Sequence, residues 1–377
     1  MEAYAFPDWA HLPLVVVDLI SEKFKCINDY VNFRAVCSPW RYASLPKPHH
    51  LLPHQLPWLM IQPAPSIIRR TDDDGTRLFY DLWESKIRKI HLPETIDKKC
   101  CASYRGWLLL VANDHTEHFL LNPLTRTRVE LPPLYINFSN ITKMSFSTDL
   151  TDSNCLIMVF HSYSKGAYFC KVGDRCWTNA AGHPVWRGPD SLQGERLSLI
   201  DATYNNGNLY LLNSQAIFIY DPNQQRLQAR YFFKPELHLV TKYFLEGKSG
   251  LYIVAVYYTE VVEGDRGQKF ELYEVQEHPM ELKQIADTRE ITIFVGNKKQ
   301  YLAVRTDDWD SLDGDCMYMT LVWEPCRPYA GNEKRLSDII FCAKLDDGKP
   351  KPLVLGLRDD LPIWLPTPPM WFQPSFV

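Results

Sequence analysis

Gly106-Trp107-Leu108-Leu109-Leu110 leads through a polar turn into Phe119-Leu120-Leu121-Asn122-Pro123, and the same order returns as Asn208-Leu209-Tyr210-Leu211-Leu212 followed by Phe218-Ile219-Tyr220-Asp221-Pro222. Short apolar and aromatic runs bounded by Gly, Asn, Asp and Pro read as β-strands. In both copies one strand turns back into a second, aromatic-led strand that stops at Asn-Pro or Asp-Pro.

Working outward from this pair, related runs occur at Leu78-Phe79-Tyr80-Asp81, Tyr168-Phe169-Cys170-Lys171, Phe270-Glu271-Leu272-Tyr273 and Ile340-Phe341-Cys342-Ala343. The phenylalanines at 79, 119, 169, 218, 270 and 341 are separated by 40, 50, 49, 52 and 71 residues. A period of this size matches the four-stranded blade of a β-propeller, in which every sheet buries both faces against its neighbours and few edges stay open. A sandwich or two separate β domains would require no such period. The expected class is therefore mainly β, a small helical segment followed by a propeller of six blades, with seven possible because the last gap could hold one more. That gap contains the acidic stretch Asp307 to Asp315, expected as an exposed loop. The apolar segment Leu361 to Phe376 is expected to pack, with Met370 to Phe376 pairing with the first blade to close the ring.

The 377 residues are 46% hydrophobic and 23% charged, with 11 Trp, 20 Tyr and 18 Phe, the profile of a folded chain. A formal charge of −4 without a polybasic run argues against nucleic acid as a partner. The apolar run Leu12 to Val17 ends at Asp18, far short of the roughly 20 residues that a membrane span needs. Glu2, Asp8 and Pro13 do not fit a secretory signal. The expectation is a chain of the nucleus, the cytoplasm or both, with no membrane partner. Ten cysteines show no C-x-x-C spacing, so reduced core thiols are expected.

The first forty residues differ in period. Leu12, Val16, Leu19 and Ile20 are spaced as one helical stripe beginning at or after Pro13, widened by Val15 and Val17. Asn28 and Asp29 offer caps for a second helix, and Ser38-Pro39 offers a cap and first position for a third. Three short helices in so few residues bury too little to fold alone and call for a partner.

Trp9, Leu12-Pro13, Leu19-Ile20, Phe33-Arg34-Ala35-Val36-Cys37 and Trp40-Arg41 together resemble the plant F-box signature. The β region, with its Gly-Trp-Leu strand, its Asn-Pro and Asp-Pro turns and the terminal Trp371-Phe372-Gln373-Pro374-Ser375, resembles the KIB-type propeller of plant F-box proteins. The resemblance implies helices over 1–45, a Pro- and His-rich linker over 46–56 containing Pro46, Pro48 and Pro53, and a propeller over 57–377. It also implies that an SKP-type adaptor docks on Leu12, Pro13, Val16, Leu19, Ile20, Val36, Cys37, Trp40 and Arg41. Cullin and RING subunits would follow through the adaptor, and the propeller would hold a target protein for ubiquitination. Val15 stands where an acidic residue is usual in the family and Ser21 where an aliphatic one is, both expected to weaken adaptor affinity. The alternative is a propeller that binds its partner outside any ligase. The plainer reading of the helices is that they pack on the rest of the chain, with Trp40 an ordinary core residue.

No catalytic constellation, cofactor or metal site is expected. Glu246-Gly247-Lys248-Ser249 has Lys242 where a phosphate loop needs its leading glycine. The acidic loop has Leu312 at a ligand position and Gly314 out of register for Ca²⁺. Asp72-Asp73-Asp74-Gly75 reads as a turn, and His49, His50, His54, His115 and His118 as surface histidines without matching ligands. Target contacts are expected on the loops of one propeller face, with Trp309 and Asp310 as weak candidates.

Overall fold

The computed structural model describes residues 9–21, 23–24, 27–44, 57–61, 73–82, 84–112, 117–133, 140–180, 198–238, 240–247, 250–258, 268–289, 291–296, 301–305, 316–320, 340–344, 351–352, 370–372 and 374. Within them, strands form six sheets. From the axis outward, blade 1 is Met370–Phe372, Trp58–Ile61, Thr76–Asp81 and Lys86–His91. Blade 2 is Lys98–Tyr104, Trp107–Ala112, His118–Leu121 and Arg128–Glu130. Blade 3 is Ile141–Phe146, Leu156–His161, Gly166–Lys171 and Thr178–Asn179. Blade 4 is Asp201–Asn205, Asn208–Leu212, Ala216–Asp221 and Arg226–Phe232, and blade 5 is Thr241–Gly247, Gly250–Tyr258, Gln268–Glu277 and Met280–Ile285. Blade 6 is Tyr301–Arg305, Ile291–Val295, Cys316–Thr320, Ile340–Lys344 and Lys351–Pro352.

The apolar runs are continuous because each strand is covered on both faces. Leu108 and Leu110 pack toward blade 1 with Trp58, Phe79 and Phe372, while Trp107, Leu109 and Val111 pack toward blade 3 with Met144, Ile157 and Val159. Leu209 and Leu211 likewise meet Met158 and Phe160 of blade 3, and Tyr210 and Leu212 meet Phe244 and Ile253 of blade 5. Val254 and Leu272 of blade 5 meet Ile293 and Met317 of blade 6. The ring closes where Phe294 of blade 6 meets Trp371 of blade 1 edge-on, with ring centroids 5.0 Å apart. Met370–Phe372 pairs antiparallel with Trp58–Ile61, so the innermost strand of blade 1 comes from far along the chain.

The recurrent turn chemistry has a physical basis. Asn122 Oδ1 accepts from the N–H groups of Leu124 and Thr125 (2.9 and 3.2 Å), and Asp221 Oδ1 from those of Asn223 and Gln224 (2.8 and 3.1 Å). Asp81 Oδ1 accepts from Glu84 N–H (3.2 Å). Each turn then ends on a residue of positive φ, Arg126, Gln225 and Ser85 respectively. The strand-terminal Asn or Asp is a side-chain cap for the turn. In the preceding hairpins, Arg105-Gly106 and Asn206-Gly207 both have positive φ at two successive residues, the type I′ pattern.

The phenylalanine spacing is corrected at its last step. Phe79, Phe119, Phe169, Phe218 and Phe270 lie in the third strand of their sheets, but Phe341 lies in the fourth strand of a five-stranded one. Blade 6 also departs in order, since Ile291–Val295 pairs parallel with Cys316–Thr320 and Tyr301–Arg305 takes the axial position. An extra strand, and not a seventh sheet, occupies the longest gap among the described residues. The acidic stretch 307–315, with Trp309 and Asp310, lies outside them, as do the linker 46–56 and His115. His118 is buried in blade 2 instead of lying at the surface.

The innermost strands have a free edge at the axis, and side chains from other blades cap it. Asp201 Oδ2 accepts from Phe244 N–H (2.7 Å) and from Lys143 Nζ (2.9 Å), and the same ammonium donates to Phe244 C=O (2.8 Å). One buried ion pair therefore joins blades 3 and 4 while satisfying both backbone groups of Phe244 in blade 5. Ser103 Oγ donates to Trp371 C=O, and Tyr204 N–H donates to Ser145 Oγ (3.1 Å). A second polar layer crosses the axis where the Tyr104 and Thr203 hydroxyls donate to Glu246, with Arg105 Nη2 3.9 Å from the carboxylate.

Two local features carry predictions. Gly75 has φ +79°, and a Cβ there would stand 2.7 Å from Pro93 Cα and 2.9 Å from Leu92 O. Backbone strain and collision with main chain add, so Gly75→Ala should lower unfolding stability by more than about 2 kcal/mol in urea titration. A loss below half that would show that Pro93 yields. Lys242, buried in blade 5, donates to the carbonyls of Leu237 and Val240 and lies 4.7 Å from the Phe233 ring centroid. Burial lowers its pKa to about 8 from 10.5. The folded state then binds fewer protons than the unfolded state between these values, so stability should rise as pH climbs from about 8 to 10.5. Lys242→Met should flatten that rise in pH-dependent denaturation.

Candidate functional site

Three helices, α1 (Leu14–Ser21), α2 (Ile27–Ala35) and α3 (Ser38–Ala43), follow a short 3₁₀ turn at Trp9–His11. On α1, at 100° per residue, Val17 and Ser21 share one side and are buried, while Val15 and Leu19 share the opposite side and are exposed. Tyr30 and Phe33 of α2 are buried as well, and both α1 and α2 pack against α3. Phe33 packs at a tilt against Trp40 of α3, with centroids 4.5 Å apart, and against Phe24, at 5.0 Å.

Polar contacts lock α3 to α2. Tyr30 Oη donates to Ser44 C=O (2.6 Å), and Arg34 Nη1 donates to the same carbonyl (2.9 Å). Ser44 Oγ donates back to Trp40 C=O (2.5 Å). The Trp40 indole N–H donates to Trp9 C=O (3.0 Å), tying the 3₁₀ turn to α3. Trp40 is thus half-buried, with contacts to both Trp9 and Phe33.

Several sequence expectations change in detail. Val17 faces the interior and does not widen the outer stripe. Ser21 is also internal, with Oγ donating to Asp18 C=O (2.7 Å), so a serine there acts on helix packing and not on the outer surface. Asn28 and Asp29 lie in the first turn of α2, which begins at Ile27. The cap residue of α3 is Cys37, in extended conformation and with no side-chain cap bond. Ser38 is therefore the first residue of the helix and Pro39 the second.

None of Leu12, Pro13, Val16, Leu19, Ile20, Val36, Cys37, Trp40 and Arg41 is buried. Leu19 is 54%, Val36 58% and Val15 71% exposed. Nine large apolar side chains are exposed among the described residues, and seven of them, Trp9, Leu14, Val15, Val16, Leu19, Val36 and Tyr42, belong to this segment. The other two, Tyr163 and Phe232, are in blades 3 and 4. Isolated exposed apolar residues are ordinary, but this concentration in some thirty residues sets the helical segment apart from the six sheets.

Cys100, Cys101, Cys155, Cys170 and Cys316 are buried, and burial raises the Cys170 pKa. Among the described residues no three His, Cys, Asp or Glu are grouped to hold a metal ion. No described helix is long and apolar enough to cross a membrane. The Lys143–Asp201 pair, which sequence reading missed, has its members 58 residues apart and no motif around either.

Comparison with known proteins matches residues 79–343 to the family described as KIB1-4 beta-propeller. An F-box protein of Arabidopsis thaliana is 24% identical over 226 residues, covering 59% of this chain and 56% of the relative. An F-box/kelch-repeat protein of the same plant is 28% identical over 222 residues, covering 57% and 56%. The Arabidopsis F-box protein SKIP23 is 25% identical over 369 residues, covering 82% of this chain and 83% of its own. The chain thus spans little more than half the length of the first two relatives. With the matched stretch running from the third strand of blade 1 to the fourth strand of blade 6, the chain belongs to the KIB1-4 beta-propeller family, as a plant F-box protein with a KIB-type propeller.

Proposed function

We propose that this protein is the substrate-recognition subunit of an SCF-type ubiquitin ligase. The helices dock an SKP-type adaptor, through which cullin and RING subunits assemble, and the propeller presents a target protein. The observation that carries the reading is the concentration of seven exposed large apolar side chains in the helical segment, where Val17, Tyr30 and Phe33 are buried. The nine docking residues are Leu12, Pro13, Val16, Leu19, Ile20, Val36, Cys37, Trp40 and Arg41, and Val15 is placed to join them.

The receptor needs no chemical group of its own. Holding the target beside the ubiquitin-charged enzyme raises the local concentration of target lysines, so its contribution is proximity. The division into helices over 1–45, a linker over 46–56 and a propeller over 57–377 serves this arrangement, with the adaptor and the target held by separate parts. The setting is the nucleus or the cytoplasm, where such ligases act.

Immunoprecipitation of the full chain with detection of cullin tests the reading. Wild type should recover cullin, and Leu12→Ala/Pro13→Ala should recover much less at equal expression. Equal recovery by both would assign the helical surface to a partner outside a ligase.

A further inference from the structure

Ser38 is an exposed serine with a proline after it, at the first position of α3. Ser/Thr-Pro pairs occur twice in the chain, and the other, Thr367-Pro368, lies outside the described residues. The cap position of α3 falls to Cys37, so the Ser38 hydroxyl is released from the capping role that its sequence context suggests. The pair is flanked by Val36 and Cys37 on one side and by Trp40 and Arg41 on the other, all four on the proposed docking surface.

We infer that Ser38 is a phosphorylation site for a proline-directed serine/threonine kinase and that its phosphate releases the adaptor. The inference rests on the docking reading above. In the transfer, Ser38 Oγ attacks the γ-phosphorus of ATP, a new O–P bond forms, the bond to the β-phosphate oxygen breaks, and ADP leaves. The hydroxyl proton passes to the kinase's base. The product carries a charge near −2 and three strong acceptors at neutral pH. Next to Val36, 58% exposed, and the half-buried Trp40, that charge must be stripped of water for the apolar surface to seat. Arg41, three residues along and exposed, is the nearest cation in sequence. A phosphate that engages it also withdraws it from the adaptor. Ser38 itself is not among the docking residues, so an unmodified alanine there leaves the surface intact.

The test uses the full-length chain, a purified SKP-type adaptor, a proline-directed kinase and ATP. Mass spectrometry should locate phosphate on Ser38, with none at that peptide in Ser38→Ala. Calorimetry should then show adaptor affinity reduced about tenfold or more by phosphorylation and restored by phosphatase. Unmodified Ser38→Ala should bind like wild type, and kinase treatment should not alter its affinity. Absence of phosphate on Ser38, or equal affinity of the phosphorylated and unmodified chains, would overturn the switch alone. Failure of the unmodified wild type to bind the adaptor would overturn the docking reading, and the switch with it.

Discussion

Asp201→Ala should cost roughly 3–5 kcal/mol of unfolding free energy, the usual penalty for stripping one member from a buried ion pair. Three donors converge on this carboxylate: Lys143 Nζ and the N–H groups of Phe244 and Ala202. Alanine would leave the Lys143 ammonium without its counter-charge and the Phe244 N–H without an acceptor at the free edge of an innermost strand. The loss approaches the whole stability of many domains, about 5–15 kcal/mol, so the isolated variant could fail to accumulate. Lys143→Met/Asp201→Leu supplies the companion measurement. Removing both charges together avoids the lone buried ion and should destabilise far less than Asp201→Ala, although the Phe244 backbone groups remain uncapped. Guanidinium titrations of both variants check this, and a loss under about 1 kcal/mol for the single variant would mean that water replaces the missing partner. Burial also pushes the Asp201 carboxyl above the usual carboxylate range, against the pull of Lys143. In Lys143→Met the carboxyl should therefore take up a proton more readily, and the damage should shrink as pH is lowered.

Leu19→Asp should reduce adaptor affinity by ~30-fold or more, the scale of losing one interface anchor, while leaving the helices folded. Leu19 is half exposed and projects away from the inner side of α1, so the charge is hydrated in the free protein and harmful only on docking. Val17→Asp, two residues away, should do the opposite. Val17 is fully buried, and an aspartate there must either remain in the core without partners or open the helical unit. Circular dichroism paired with adaptor titration separates the two outcomes. If Leu19→Asp bound at wild-type strength, docking would have to use another face, and the exposed side of α1 that carries Val15 and Leu19 would have no part in it.

The repeat was legible because its cause is local. An Asn or Asp at the end of the third strand caps its own turn, and a strand covered on both faces is apolar throughout, as Trp107 to Val111 shows. Phe341 misled because it preserves the local pattern while sitting in a sheet with an additional strand, and strand order is not written in a five-residue window. The axial pair was illegible for a different reason. Lys143 and Asp201 look like ordinary strand charges until the ring brings blades 3, 4 and 5 around one axis. On the helices, Val15, Val16 and Val17 are chemically identical, and only the phase of α1 where it packs against α3 decides that the third of them is internal. Ser21, which reads as a flaw in the contact stripe, is internal for the same reason.

The strand Met370–Phe372 gives the fold a timetable. A ribosome releases blades 2 to 5 long before residue 370, and each of them can pair its own strands as it emerges. Blade 1 cannot, since Trp58–Ile61 must wait with an unpaired edge while roughly three hundred further residues are made. During that interval Trp58, Phe79 and Leu108 lack Phe372, the residue that later fills the space among them. A premature stop shortly before Met370 would therefore leave the circle open at its seam, exposing the edge of Trp58–Ile61 to any other nascent chain nearby. For this protein, a finished ring is one in which a late strand, Met370–Phe372, has met an early one, Trp58–Ile61.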